Sequence, residues 1–284
     1  MERLARLRAR IGSVEELRDV AHTMRALAAV RMRQADEALS GARAYAAVVG
    51  AALADALALI PPHERLASPR RDGRGLLVFG SENGFVGALN EVVVDHAAAA
   101  LGEGDRLFVV GSRATRAARE RGLDVDWALP MTSRRDSVPT VARQIAAALY
   151  RRFEAEQISR LDMMFAEVGG PGQWTCRRQS LLPLDPAAFQ AESDGASPVH
   201  YLPAPRLVDL LVEEYFFAEL TRGAMEAFAG ENTARVAAMS AAHDNIERRL
   251  GELKCEEDRL RQEEITTELI DVVTGSEALL HPRP

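Results

Sequence analysis

Lysine is almost missing from this 284-residue chain: of 35 basic residues only Lys254 is a lysine. That excludes a G-x-x-x-x-G-K-[ST] phosphate loop, because Lys254 stands in Glu-Leu-Lys-Cys with no glycine-rich run before it. The near-exclusive use of arginine reads as GC-rich coding rather than as chemistry. Cysteine occurs twice, at 176 and 255, too few and too far apart for a disulfide framework or a zinc site, and the pattern fits a reducing, intracellular setting. Aromatic residues make up only 5% of the chain, while alanine and arginine abound, a balance that favours long helices over one large globular core. No uncharged apolar run approaches the ~18 residues of a membrane span. The greasiest stretch, Val48–Ile60, is short and contains Asp55, and Arg3, Arg6, Arg8 and Arg10 interrupt any signal-peptide core. The chain is therefore expected to be soluble, or to meet a membrane only through partners. A net charge of −7 argues against nucleic acid as a ligand.

Proline is absent from two long stretches, Met1–Ile60 and the residues between Pro205 and Pro282. The second predicts a helix to about Leu279, roughly 110 Å at ~1.5 Å per residue, longer than a compact domain needs. Leu211, Ala218, Met225, Asn232, Met239, Ile246, Leu253 and Leu260 recur in it at seven-residue intervals, the pattern of a coiled-coil seam. The first stretch supplies a partner. Leu7, Val14, Ala21, Ala28, Ala35, Ala42, Val49 and Ala56 form one heptad line, with Ile11, Met32, Leu39, Leu53 and Ile60 beside it. The alanines permit close helix approach, and Asn232 is expected to fix register. Charge favours antiparallel pairing: residues 1–34 hold eight arginines against four acids, and residues 251–279 hold nine acids against three basic residues.

Between these helices the period changes. Short apolar runs at Gly75–Phe79, Arg106–Gly111, Val125–Leu129 and Leu161–Val168 read as strands, and Ala88–Leu101, Ser112–Gly122 and Ser137–Glu156 as helices. The alternation implies a parallel sheet with helices on its faces. Gln173–Leu184 reads as a last strand or hairpin, and Ala187–Pro203 as a linker. The fold class is thus α/β: a long antiparallel two-helix coiled coil formed by both chain termini (1–60 and 205–284), plus an inserted Rossmann-like domain (73–190).

Few residues suggest chemistry. The turn Gly80-Ser81-Glu82-Asn83-Gly84-Phe85-Val86-Gly87 follows a strand, as a phosphate cradle would, but lacks G-x-G-x-x-G spacing, and Glu82 would repel an anion. A tight turn allowing close backbone packing is the better reading. His22, His63, His96, His200, His243 and His281 are scattered without metal-ligand spacing, and no nucleophile elbow is present. The acids Glu256, Glu257, Asp258, Glu263 and Glu264 lie along a helix and read as a solvated or partner-contacting face. No cofactor or metal is expected. The run Arg259–Leu269 exceeds what packing needs, and Arg261 and Gln262 offer planar donors suited to a protein partner. An alternative on residues alone is a nucleotide-binding α/β module with a dimerising coiled coil.

At that run the sequence resembles the gamma subunit of F-type ATP synthases. The family pattern E-x-x-A-R-x-x-A-M, A-x-x-N-A and N-R-x-R-Q-x-x-I-T-x-E-L is met by Glu231, Ala234, Arg235, Ala238 and Met239. Ala242 and Asn245 follow, then Arg259, Arg261, Gln262, Ile265, Thr266, Glu268 and Leu269. Arg10, Ile11, Ser13, Val14, Met24, Ala28 and Ala29 echo the amino-terminal run, and Ser81, Gly84, Gly87 and Asn90 the S-D-R-G-L-C-G-x-x-N turn. Asp258, Ile246, His243 and Thr23 depart from the family residues, as a divergent branch would; the alternate, sodium-linked bacterial type is compatible with them. The resemblance implies a non-catalytic central-stalk rotor, coupling ion transport to ATP synthesis or hydrolysis. Its implied partners are the alpha and beta subunits of the catalytic hexamer, the epsilon subunit and the membrane c-ring. Its implied place is the cytoplasmic face of the bacterial inner membrane. Met24, Arg261 and Gln262 match positions by which the family's shaft contacts beta.

Overall fold

The computed structural model describes residues 2–61, 73–170, 172–184 and 200–280, with side chains to Val273. The part of the expected linker at 187–199, the histidines at 63 and 281, and the side chain of Glu277 lie outside these residues. Among the described residues eleven elements follow one another: α1 (Glu2–Ala58), β1 (Arg74–Phe79), α2 (Leu89–Ala100), β2 (Arg106–Val110), α3 (Ser112–Glu120), β3 (Val125–Leu129), a 3-10 turn (Arg135–Ser137), α4 (Val138–Glu154), β4 (Arg160–Gly170), β5 (Gln173–Leu182) and α5 (Ala204–Leu280). The chain divides into two compact units. One comprises Met1–Ala26 with Ala238–Pro284, the other Leu27–Ala237. This division cuts through both long helices, so the α/β elements share a unit with the adjoining stretches of α1 and α5.

The larger unit is built on a five-stranded sheet of order β3-β2-β1-β4-β5. The first four are parallel, with Leu77 opposite both Phe108 and Met163. The parallel sheet expected from the strand–helix alternation comprises β1–β4, and the last segment takes the hairpin form of the two left open. β5 instead runs antiparallel to it, because only Pro171 and Gly172 separate the two strands, and Gly172 takes the left-handed φ of +70° that a tight reversal needs. Alternate residues of each strand serve the two faces. Leu77, Phe79, Phe108, Val110, Met163 and Phe165 pack under α4, α5 and Ala35 and Leu39 of α1. Leu76, Val78, Leu107, Val109 and Met164 pack under α2 and α3. α4 begins at Val138 with Pro139 in its first turn, where a missing N–H costs nothing.

In this unit α5 is buried almost all round from Phe216 to Arg235. Two glycines permit that. A Cβ on Gly230 would stand 2.4 Å from the carbonyl oxygen of Ala166, and one on Gly223 2.6 Å from the sulfur of Met163. The C-terminal part of α1 packs Leu53, Ala56, Leu57 and Ile60 against Val208, Leu211 and Tyr215 of α5. By length and composition alone, α1 carries one 18-residue window, of mean hydropathy 1.2, apolar enough to cross a bilayer; 33% of it is buried within the protein.

The smaller unit is a two-helix antiparallel coil. Leu4, Leu7, Ile11 and Val14 interlock with Ile246, Leu250, Leu253 and Leu260. Arg3 faces Glu256 at 3.9 Å, Arg8 faces Glu257 at 2.8 Å, Glu15 faces Lys254 at 3.0 Å and Arg18 faces Glu247 at 3.9 Å. From Arg8 through Glu15 to Arg18 the partner numbers on α5 fall from 257 through 254 to 247, the antiparallel direction expected from the charges.

Candidate functional site

In the smaller unit the seam residues Leu7, Ala21, Met239, Leu253 and Leu260 are buried, and Val14 and Ile246 half-buried. In the larger unit Ala28, Ala35, Ala218, Met225 and Asn232 are buried and Leu211 half-buried. The amide of Asn232 bonds within α5, donating to the Phe228 carbonyl (2.8 Å) and accepting from Arg235 (3.2 Å), instead of crossing to α1 as expected. Register rests on the ion pairs and the apolar layers. The seam of α5 also has a second line that sequence reasoning missed. His243, Leu250, Glu257 and Glu264 interleave with Met239, Ile246, Leu253 and Leu260 at alternating four- and three-residue steps, and all four are buried or half-buried. Two acids and a histidine disguise that line as polar surface. His243 lies 6.4 Å from His22, ring centre to ring centre.

Among the three residues expected to meet a partner, Met24 is half-buried and Arg261 and Gln262 are exposed. Arg261 already has a partner: its guanidinium donates to Glu257 (3.1 Å), which also accepts from Arg8. The Arg8 hydrogen bond, with help from Arg261, holds the Glu257 carboxyl below its ordinary 4.5. Past Leu260 the apolar residues Ile265, Leu269, Ile270, Val272 and Val273 are at least half exposed. Arg261 and Gln262 thus begin a helix end whose apolar side chains face outward.

The larger unit contains the crevice at which a doubly wound sheet binds its ligand, where strand order reverses between β1 and β4. The glycine-rich turn after β1 rims it, with Phe85 (φ 63°) and Gly87 (φ 59°) in left-handed conformations. Glu82 sits where an anion would sit. Its carboxylate accepts from the backbone N–H (3.0 Å) and hydroxyl (2.8 Å) of Ser112 at the start of α3, and from the N–H of Met131 (2.8 Å). The acid expected to repel a phosphate is thus itself the anion at that helix end. The crevice holds side chains of α5. Glu231 and Arg235 form a buried ion pair at 2.6 Å. Arg235 donates towards the carbonyls of Gly84 (3.3 Å) and Asn83 (3.5 Å), and Glu231 accepts from the N–H of Glu82 (3.4 Å). Burial pushes the Glu231 carboxyl up, against the pull of Arg235.

A second buried polar cluster ties α5 to its neighbours. Glu226 accepts from Arg43 of α1 (2.6 Å), and Glu219 accepts from Gln179 of β5 (2.7 Å) and Arg222 (2.7 Å). Among the described residues no group of three or more His, Cys, Asp or Glu is placed to hold a metal ion. Burial pushes the Cys176 thiol up to about 11, which makes it a poor nucleophile, and Cys255 is exposed.

The family model for ATP synthase matches residues 3–279. An ATP synthase gamma chain of Chlorobium phaeobacteroides (strain DSM 266) is 30% identical over 298 residues, covering 98% of this chain and 99% of the relative. The chain belongs to the ATP synthase gamma-chain family. The gamma chain of Prosthecochloris aestuarii is likewise 30% identical, over 98% of this chain and 99% of its own length. In fold the chain is similar to one in the Euglena gracilis mitochondrial ATP synthase, OSCP/F1/c-ring, with a TM-score of 0.68 and 14% identity, over 98% of this chain and 95% of that one. A chain of the Tetrahymena thermophila mitochondrial central stalk and c-ring gives a TM-score of 0.60 at 15% identity, covering 78% of this chain and 99% of that one.

Proposed function

We infer that this chain is the central-stalk rotor of an F-type ATP synthase and carries torque between an ion-driven membrane ring and a catalytic alpha/beta hexamer. The observation that carries it is the likeness to gamma chains along essentially the whole length of both proteins. The paired helices suit the role physically, since two interlocked helices resist twisting better than one. Catalysis would lie in the beta subunits; this chain conveys force. Three segments divide the work: the helices 1–60 and 205–284 form the shaft, and the α/β domain 73–190 meets the epsilon subunit and the c-ring. Met24, Arg261 and Gln262 face beta. The complex is membrane-associated, and the chain acts on the cytoplasmic face of the bacterial inner membrane without crossing it.

Purification of the native complex tests this. The chain should co-purify with nucleotide-hydrolysing subunits, and vesicles holding the complex should take up ions when given ATP. A chain recovered alone from its native membrane extract would overturn the reading. The nucleotide-binding alternative meets a specific obstacle: Arg235 and Glu231 occupy the crevice, and Glu82 the start of α3. Saturable nucleotide binding by the full chain would revive it.

A further inference from the structure

The side chains that fill the strand-switch crevice form a bonded set. The Arg235 guanidinium reaches four acceptors, Glu231 Oε1, Asn232 Oδ1 and the carbonyls of Asn83 and Gly84, and the other Glu231 oxygen takes the Glu82 N–H. Arg235 and Glu231 are 5% and 4% exposed. α5 reaches this depth because Gly230, one residue before Glu231, lies against the Ala166 carbonyl within β4, where any side chain would collide. The turn that receives them is itself braced. Ser81 N–H donates to Asn90 Oδ1 (2.9 Å), Asn83 donates to Ser133 Oγ (2.9 Å), and Glu82 is tied to α3 and to Met131.

We propose that Arg235 and Glu231 act as an internal ligand of the strand-switch crevice, a torsional latch that fixes the rotational setting of α5 against the β1–α2 turn. The latch presupposes the rotor role. The hydrophobic effect is non-directional, and the close approaches at Gly223 and Gly230 set the depth and, by sterics, part of the azimuth of α5. Hydrogen bonds depend on angle, so side chains bonded at one azimuth to a braced backbone oppose that rotation. Torque on α5 then passes through Arg235 to the turn, and from the turn to α2, α3 and the strand ends. Both are positioning residues and touch no reacting atom.

The test uses the whole complex in vesicles, measuring ATP hydrolysis and ATP-driven ion uptake side by side. Arg235→Ala should keep hydrolysis and lose uptake per ATP severalfold. Millimolar methylguanidinium should restore uptake in Arg235→Ala but not in Arg235→Ala/Glu231→Ala. Uptake per ATP equal to the unaltered chain overturns the latch, as does an equal fall of hydrolysis and uptake without rescue. Should Arg235→Ala fail to assemble, the nearly isosteric Glu231→Gln takes its place, with the same fall in uptake per ATP expected and the same overturning result. A complex with the unaltered chain that pumps no ions sinks the rotor reading instead. Independently, in the isolated full chain, Glu231→Gln should speed hydrogen exchange at the Glu82 amide and leave β2 and α4 unchanged. Unaltered exchange at Glu82 overturns the latch whatever the complex does.

Discussion

The same helix lives in two environments. Between Phe216 and Arg235, α5 is flanked by the sheet, α4 and α1, and nearly every side chain is buried, including four charged ones. From Met239 to Leu260 it meets α1 alone, and only a seam is covered. Composition shifts with the surroundings: the first stretch has five charged residues in 20 and three phenylalanines, the second ten charged residues in 22 and no phenylalanine, so burial follows both the number of neighbours and the sequence facing them. The cost of burying charge differs accordingly. Glu226 and Glu231 need paired arginines in the larger unit, whereas the ion pairs of the coil are mostly water-exposed and bias direction more than they stabilise.

Several substitutions would break or sharpen that contrast. Phe165→Ala, in the sheet core, should cost about 3–5 kcal/mol in chemical unfolding, against about 2–3 for Leu253→Ala in the coil, where neighbouring side chains can relax. Equal losses would mean the coil is packed as rigidly as the sheet. Glycine should change sign between the units. Gly230→Ala forces a methyl into the Ala166 carbonyl and should destabilise by about 1–3 kcal/mol. Gly12→Ala and Gly251→Ala, with nothing near their added Cβ, should each stabilise by up to about 1 kcal/mol. The pH response of the coil should follow Glu257. Because Glu257 has a folded pKa below its ordinary 4.5, its contribution is present above that value and lost as pH falls through the folded one. Hydrogen-exchange protection near Leu253, measured relative to the intrinsic rate at each pH, should therefore fall on acidification, and Glu257→Gln should flatten that response. Arg3→Ala should shift stability by no more than about 0.5 kcal/mol, its partner Glu256 being well exposed.

Much of the fold was legible in the sequence because it repeats. Heptads announced both helices, apolar runs placed β1–β4 within a residue or two, and charge gave the pairing direction. The rest depends on long-range contacts that periodicity does not record. β5 carries the alternation of any edge strand, and its direction follows from the short connection after β4, where Gly172 takes a left-handed φ. The second seam line escaped because Glu257 counts as polar until Arg8 is seen beside it. Glu82 was read as a deterrent to anions, whereas its partners, Ser112 and Met131, lie 30 and 49 residues away. Glu231 and Arg235 were visible only as letters of a family pattern; their spacing of four marks a helical ion pair, and nothing local says it would be buried against a turn 150 residues earlier.

The lone lysine has a practical side. Lys254, paired with Glu15 and 54% exposed, is the only side-chain amine in the chain, and the exposed thiol of Cys255 is its immediate neighbour, while Cys176 is shielded and slow to ionise. Reagents directed at side-chain amines and at thiols would therefore converge on one turn of α5, with the α-amino group the competing amine. Through the Cys255 thiol a fluorophore or a bead tether can be seated there without first removing Cys176.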